Sequence, residues 1–535
     1  MPIADAIVIG SGPNGLVAAN LLADRGWDVT VLEAQDTPGG AVRSDSDVHP
    51  GFVHDTFSSF YPLAVASQTI RGLGLERHGL AWEHAPAVAG TPFLSGEWAL
   101  MHRSREATAA GLDAMAPGDG EAWMELCRGW DRIGDAVIDA VLAPFPPVRA
   151  GLRAITRLPR VGGLGFVQMM LAPLQSMAGQ RFSGRGAHLL LGGNAAHSDI
   201  PVDATGSSTM AWVLAMVGQH LGYPVPRGGS GELSRALVER FAAGGGDLVL
   251  GARVARITVA DGRATGVVTE SGEQWQARRA VLADVTAPSL YGHLVDPEDL
   301  PSRLLRRMQR FEWDPGTVKV DWALSGPVPW AVAPAAAPGT LHVAESIDEI
   351  RTAGAQIAAG AVPATPFLLA GQMATADPTR APEGGESFWA YTHVPQHTTS
   401  DAGGSGITGA WDHADVERMA DRVQARLEAY APGFGDRVLA RRVLGPRELE
   451  ARDENLVGGA LNGGTANLHQ QLVFRPVPGL GRAETPVKGL YLASSSAHPG
   501  GGVHGACGSN AARAALAHDR VRSVLTTLGS KGSRP

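Results

Sequence analysis

The strongest constraint on how this chain can fold lies at its start. An apolar, β-branched run at residues 6–9 leads directly into Gly10-Ser11-Gly12-Pro13-Asn14-Gly15, and residues 16–25 then have helix-forming composition closed by Gly26. In a G-x-G-x-x-G turn between a strand and a helix, the first glycine permits the tight turn, the second lets backbone approach a pyrophosphate, and the third lets the helix pack closely. The unpaired N–H groups of the helix start then face the phosphates. Residues 27–32 read as a second buried strand ending at Glu33-Ala34, where a carboxylate accepts hydrogen bonds from ribose hydroxyls. The opening is therefore a βαβ unit, which commits the fold to an α/β class with a parallel sheet.

The remainder has to be large. At 535 residues the chain exceeds what one core usually spans, and with 44% hydrophobic and 18% charged residues it reads as a packed globule of two or more domains. Its net charge of -8 supplies no positive field for nucleic acid. Two cysteines, Cys127 and Cys507, form no CxxC pair and indicate a reducing compartment. Gly10 and Gly12 interrupt the N-terminal apolar run too early for a signal peptide, and no stretch approaches a spanning helix. The expectation is a soluble protein of the cytoplasm, at most peripheral to a membrane, or of the mitochondrial matrix in a eukaryotic source.

Further along, residues 231–243 read as a helix, 248–259 as one strand, Asp261-Gly262 as a hairpin turn, 264–268 as the returning strand, and 279–283 as a buried strand. Residues 489–493 form another short apolar strand, followed by a glycine-rich turn and a helix over 510–516. The predicted architecture is a Rossmann-like split nucleotide-binding domain with a three-layer sheet, made of 1–56, 225–285 and 460–520. A mixed α+β substrate domain, made of 57–224 and 286–459, is inserted into it, and 521–535 is a tail. Residues 228–231 read as a turn opening the next helix rather than a second phosphate loop, because no apolar strand precedes them.

A second glycine pair after the ribose acid, Gly39-Gly40-Ala41, lets the chain pass close to an extended dinucleotide, and Arg43 can offer a guanidinium to its phosphates or simply face solvent. This points to FAD as the cofactor.

The stretches at residues 8–44, 223–237 and 490–516 (VIGSGPNGLVAANLLADRGWDVTVLEAQDTPGGAVRS, YPVPRGGSGELSRAL and LYLASSSAHPGGGVHGACGSNAARAAL), with weaker likeness at 316–330 and 461–476, resemble the phytoene desaturase-like flavoproteins. Within these, the resemblance is to the group of pyridine nucleotide-disulphide oxidoreductase domain-containing protein 2. The resemblance implies hydride exchange between an unactivated C–H bond and flavin N5. It puts dinucleotide contacts on Gly10, Gly12, Gly15 and Glu33, phosphate contacts on Gly40 and Arg43, and adenine contact on Val254. Ser495, Gly502, Val503 and His504 fall at the flavin ring and ribityl chain. The absence of CxxC and of a second GxGxxG unit departs from what that group's name suggests and argues against disulphide reduction.

Reduction of a flavin at N5 leaves negative charge near N1 and O2, which a helix N-terminus behind the turn at 499–505 can stabilise. His498 and His504 flank that turn and either exchange a proton with substrate or only brace the backbone. Cys507 reads as packing. His188, His197, Asp199, His393 and His397 lack metal-ligand spacing and are candidates for the substrate domain only. The basic, apolar segment 149–177, interrupted by Pro159 and Pro173, reads as a core helix with a solvated edge in preference to a bilayer-docking surface. The partners expected are a hydrophobic small molecule, an external electron acceptor and a peripheral membrane contact. The rival functions are a non-catalytic binding protein, in the manner of Rab GDP-dissociation inhibitors, and a flavin amine oxidase.

Overall fold

The computed structural model describes the backbone of residues 1–531 and the side chains of residues 1–525. In its first strand, Ile3–Ile9, Ala6 and Val8 pack to one side and Ile7 and Ile9 to the other, so the strand is buried on both faces. Val29–Leu32 pairs parallel on one flank, with Asp247–Val249 beyond it, and Gln274–Ala283 pairs parallel on the other. Leu490–Leu492 then adds in parallel to the end of Gln274–Ala283, with Ala283 opposite Leu492. The helices Pro13–Ala23, Gly231–Ala243 and Ala506–Lys531 contribute Ala18, Leu22, Phe241, Ala511 and Ala515 to the core on one face.

The strand expected over 248–259 is instead two. Gly251, at φ 66°, turns the chain out of the parallel edge, and the N–H groups of Gly251 and Ala252 donate to the Gln35 and Glu33 carbonyls. The chain then enters the antiparallel hairpin Val254–Ala260 and Arg263–Thr269. Asp261 and Gly262 both have positive φ there, as a two-residue type I′ turn requires.

The second sheet runs Val438–Leu444, Gly316–Leu324, Glu386–Val394, Leu368–Gln372, Pro338–Val343, Ala87–Pro92 and Trp98–Met101. Its four central strands alternate. Val318, Val320, Trp322, Phe388, Ala390, Leu341 and Val343 pack against Val416, Met419, Val423 and Leu427 of the helix His413–Tyr430. The intervening Thr317, Lys319, Asp321, Thr340, His342, Trp389, Tyr391 and His393 therefore project from the opposite face, where His342 meets the helix Arg185–His197 and Lys319 meets the Asp55 carbonyl. A helical layer from residues 105–221 forms a further core around Trp123, Leu190 and Trp212.

Three segments differ from the sequence reading. Residues after 286 do not leave the first sheet at once: Leu290, Tyr291, Val295, Leu300 and Leu304 pack onto Ile7, Ile9 and Val281. The segment 149–177 breaks at both prolines as expected, but much of its apolar face is exposed. It divides into Val148–Arg157, Leu164–Leu171 and the start of Leu174–Arg181, with Pro159 and Pro173 at the breaks. Phe166, Met170 and Leu174 are buried, whereas Leu152, Ile155, Leu164 and Leu171 are 57%, 62%, 86% and 52% exposed. The expected tail at 521–535 continues the final helix to Lys531, and residues 532–535 lie outside the described residues.

The first and last helices cross where Gly508 meets Asn14. A Cβ at Gly508 would lie 1.9 Å from the Asn14 carbonyl oxygen, and backbone cannot yield as a flexible side chain can. Gly508→Ala is therefore expected to lower stability by about 2 kcal/mol through overpacking, read by chemical denaturation. An unaltered midpoint would show that the helices do not meet at this point.

Candidate functional site

The phosphate turn is built as its glycines demand. Gly10 adopts φ 91°, and a Cβ on Gly15 would stand 2.2 Å from the Gly10 carbonyl oxygen. Pro13 occupies the first helical turn, where its missing N–H costs nothing. The N–H of Ser11 donates to Glu33 Oε2 at 2.8 Å and its hydroxyl to the same oxygen at 2.6 Å, while Gln35 N–H donates to Oε1 at 2.9 Å. Glu33 thus stands at the end of the second strand and anchors the turn, with lone pairs left for ribose hydroxyls.

Gly40, at φ 53°, has no room for a Cβ, which would come 2.9 Å from Gly12 Cα. Gly39 N–H donates to the Ser11 carbonyl at 3.1 Å, and the Ala41 carbonyl accepts the Ser58 hydroxyl at 2.8 Å. The second glycine pair is thereby laid on the first. Glu33 and Gln35, on either side of Ala34, bond the 249–252 segment that leads to Val254, whose strand flanks the Glu33 end of the site. Asn14 Oδ1 is buried without a partner, as is Arg43 Nε. Arg43 is otherwise committed away from phosphate: it donates to Thr37 Oγ1 and to the Arg452 carbonyl, and lies over the Phe57 ring.

The second half of the site comes from the other end of the chain. Gly500, Gly502 and Gly505 all have positive φ, Asn462 packs against Gly501, and Leu63 packs against Gly502 beside Val503. The His504 ring is spent on this turn: Nδ1 accepts the Ala506 N–H at 3.0 Å, and the His504 carbonyl accepts the Ser67 hydroxyl at 2.7 Å. Burial pushes the His504 imidazole down to about 4, so it is neutral. His498 faces the Ala143 carbonyl at 3.1 Å and stands edge-on to Phe145, and burial lowers it too. Cys507 points at the carbonyls of Ala497 and Gly500, and burial raises its thiol to about 12, which leaves no thiolate.

Arg475, Asn462, Trp389 and Tyr391 were not singled out from sequence, whereas Asp199 and His393 were. Arg475 donates to the Ser495 carbonyl at 2.9 Å and to three carbonyls of the 462–465 loop. Asn462 donates to Asp199, whose other oxygen lies 2.6 Å from His393 Nε2. Burial alone would lower His393, but Asp199 outweighs it and the net direction is up. On the same sheet face Tyr391 stacks on Trp389 with an interplanar angle of 7°. The alternation of Gly316–Leu324 and Glu386–Val394 carried this signal, since it separates Lys319, Asp321, Trp389, Tyr391 and His393 from their apolar neighbours. His197 stacks edgewise near His342, His188 bonds the Phe182 carbonyl, and His397 is exposed. Among the described residues, no group of three or more His, Cys, Asp or Glu could hold a metal ion.

The second sheet meets the short strand pair Ser44–Asp45 and His54–Asp55 at a buried charge network. Arg380 pairs with Asp55, Lys319 with Asp321, and Arg442 with both Asp321 and Asp45. Lys319 also donates to the Asp55 carbonyl at 2.8 Å, and Ser230 N–H to Asp55 at 2.8 Å.

Comparison with known proteins agrees with this geometry. Residues 8–71 match the NAD(P)-binding Rossmann-like domain, and residues 175–337 match the flavin containing amine oxidoreductase family. The chain is 29% identical to pyridine nucleotide-disulfide oxidoreductase domain-containing protein 2 of Mus musculus, over 96% of this chain and 93% of that protein. It is 25% identical to the neurosporene-forming phytoene desaturase of Cereibacter sphaeroides, over 97% and 95%. Putrescine oxidase bound to putrescine shares the fold, with a TM-score of 0.61, 17% identity and coverage of 97% and 99%. The chain is an FAD-dependent oxidoreductase. The glycine cradles at 10–15, 39–40 and 500–502, which a Cβ would fill, and the unpartnered Asn14 Oδ1 fit that dinucleotide.

One carboxyl at the phosphate turn gives a pH signature. Asp284 accepts the Gly15 N–H at 2.7 Å, and burial, reinforced by Asp453 and Glu33, pushes it up to about 8. The folded protein keeps a proton that the unfolded chain releases near pH 4, so this stabilisation is lost as pH rises toward 8 and changes little above it. Asp284→Asn is expected to flatten the stability profile between pH 5 and 8 by up to about 1.4 kcal/mol per pH unit, measured by calorimetry. Parallel profiles for the two proteins would refute the assignment.

Proposed function

We propose that this protein moves a hydride between a C–H bond of a hydrophobic small molecule and N5 of FAD. The molecule lies between the glycine turn at 499–505 and the Trp389–Tyr391 face of the second sheet. The observation that carries this reading is the link from Gly501 through Asn462 to Asp199 and His393, which joins the turn to that sheet face. When bound, FAD supplies the two-electron acceptor. The protein supplies position and a dry environment: Leu63, Phe60, Trp389 and Tyr391 present apolar surface that orients a substrate and keeps water from the reacting bond.

An amine substrate is the second reading, and the charges argue against it. An ammonium recognised by charge pairing needs an uncommitted carboxylate, but Asp199, Asp321 and Asp55 on this side are paired with His393, with Lys319 and Arg442, and with Arg380. A neutral substrate meets no such demand. Purified protein should be yellow and release FAD on acid precipitation, and anaerobic reduction of its flavin by terpenoids or lipids but not by primary amines supports the reading. Reduction by amines alone would overturn it. Glu33→Ala should weaken FAD binding by about 1 to 3 kcal/mol. Because the His504 ring braces the turn, His504→Ala should lower FAD content and reduction rate together, measured by stopped-flow normalised to bound flavin.

The exposed Leu152, Ile155, Leu164 and Leu171, with Arg149 and Arg160 beside them, form a surface suited to an anionic bilayer. The chain leads from this surface to the Ala143 carbonyl that His498 faces, so a lipophilic substrate taken from a membrane would arrive close to the site. Sedimentation with phosphatidylserine-containing vesicles should retain the protein, and Ile155→Asp should reduce binding about tenfold. Equal binding by both proteins would remove this surface from the function.

A further inference from the structure

The loop 461–465 is gripped from two sides by opposite charges. Asp314 accepts the N–H groups of Leu461 at 2.6 Å, Asn462 at 2.8 Å and Gly464 at 3.1 Å. Arg475 donates to the carbonyls of Asn462 at 2.7 Å, Thr465 at 3.1 Å and Gly464 at 3.4 Å, and through Nε to Ser495 at 2.9 Å. Arg475 is wholly buried. Among the described residues no carboxylate lies within ion-pair distance of it, unlike Arg380 and Arg442.

An unpaired guanidinium in the interior is costly, and carbonyl acceptors offset only part of the lost hydration. If bracing the loop were its only task, a neutral donor would serve with less penalty. Its location suggests the other task. A Cβ on Gly500 would lie 3.3 Å from both Cζ and Nε of Arg475, so the cation lies against the first glycine of the 499–505 turn. Burial pulls the guanidinium down to about 10, which still leaves it charged at neutral pH.

We propose that Arg475 is a fixed positive charge that acts through the glycine turn to stabilise the negative charge left on the ring of FAD by two-electron reduction. The inference rests on the reading above, in which the ring lies over residues 499–505. Coulombic stabilisation across one layer of backbone is effective because the region is dry. Arg475 touches no reacting atom and is a positioning residue for charge. Asp314, on the far side of the same loop, works against it.

The test is a dye-equilibrium reduction of the FAD-loaded protein at pH 8, where Asp314, pushed up to about 6 chiefly by burial, is ionised. At the potential that half-reduces the unmodified protein, Arg475→Gln should lower the ratio of reduced to oxidised flavin about tenfold or more, while Arg475→Lys should stay within about threefold. Asp314→Asn should raise the ratio about threefold or more. Full FAD content with an unchanged ratio in Arg475→Gln overturns the proposal, as does an equal fall in the Gln and Lys variants. If Arg475→Gln does not hold FAD, Asp314→Asn decides: a rise supports the charge account, and no change or a fall overturns it. Gly501→Ala separates this from the underlying reading. Full FAD retention there would move the ring away from the turn, whereas loss of FAD beside an unchanged ratio in Arg475→Gln would sink the Arg475 proposal alone.

Discussion

The close crossing of the first and last helices, at Gly508 and the Asn14 carbonyl, is the constraint on which the rest of the molecule depends. It allows Leu490–Leu492 to pair parallel to Gln274–Ala283 while the Gly10–Gly15 turn and the 499–505 turn approach each other from opposite ends of the chain. Any side chain at this crossing would wedge the two glycine turns apart. A cofactor long enough to need both turns then has no continuous bed.

The second organising feature is the alternation of the four central strands of the second sheet. The four central strands send Val318, Val320, Trp322, Phe388, Ala390, Leu341, Val343 and Leu368 to the helix His413–Tyr430, and Lys319, Asp321, Trp389, Tyr391 and His393 to the opposite face. The charge network of Asp55, Arg380, Lys319, Asp321, Arg442 and Asp45 occupies part of that polar face and fixes how the second sheet meets residues 44–55, which Ser230 N–H ties to the start of the helix Gly231–Ala243. Removing one member leaves its partner charged and buried, so the junction tolerates little partial substitution.

Features set by neighbours in the chain were legible in the sequence. The turn Gly10–Gly15, the acid Glu33, the second glycine pair and the hairpin at Asp261-Gly262 all rest on local backbone requirements. Features set by distant partners were not. Arg43 finds its acceptors at Thr37 and Arg452, and Arg475 at carbonyls of the 462–465 loop and Ser495. A composition that reads as core, at 149–177, leaves Leu164 largely in solvent, because two prolines divide the segment into helices too short to bury every apolar residue. The strand expected over 248–259 failed at Gly251, where a single positive φ redirects the chain.

The parallel pairing of Leu490–Leu492 also has a consequence for biogenesis. During translation the strand Gln274–Ala283 is complete long before its last partner has been made, so its open edge must wait, accessible to other chains, while roughly ten or more seconds of synthesis proceed. The nascent protein cannot close its dinucleotide bed until the final helix has left the ribosome. Abundance in a cell should therefore respond to chaperone capacity and flavin supply at the moment of release, more than to the strength of any single contact in the finished fold.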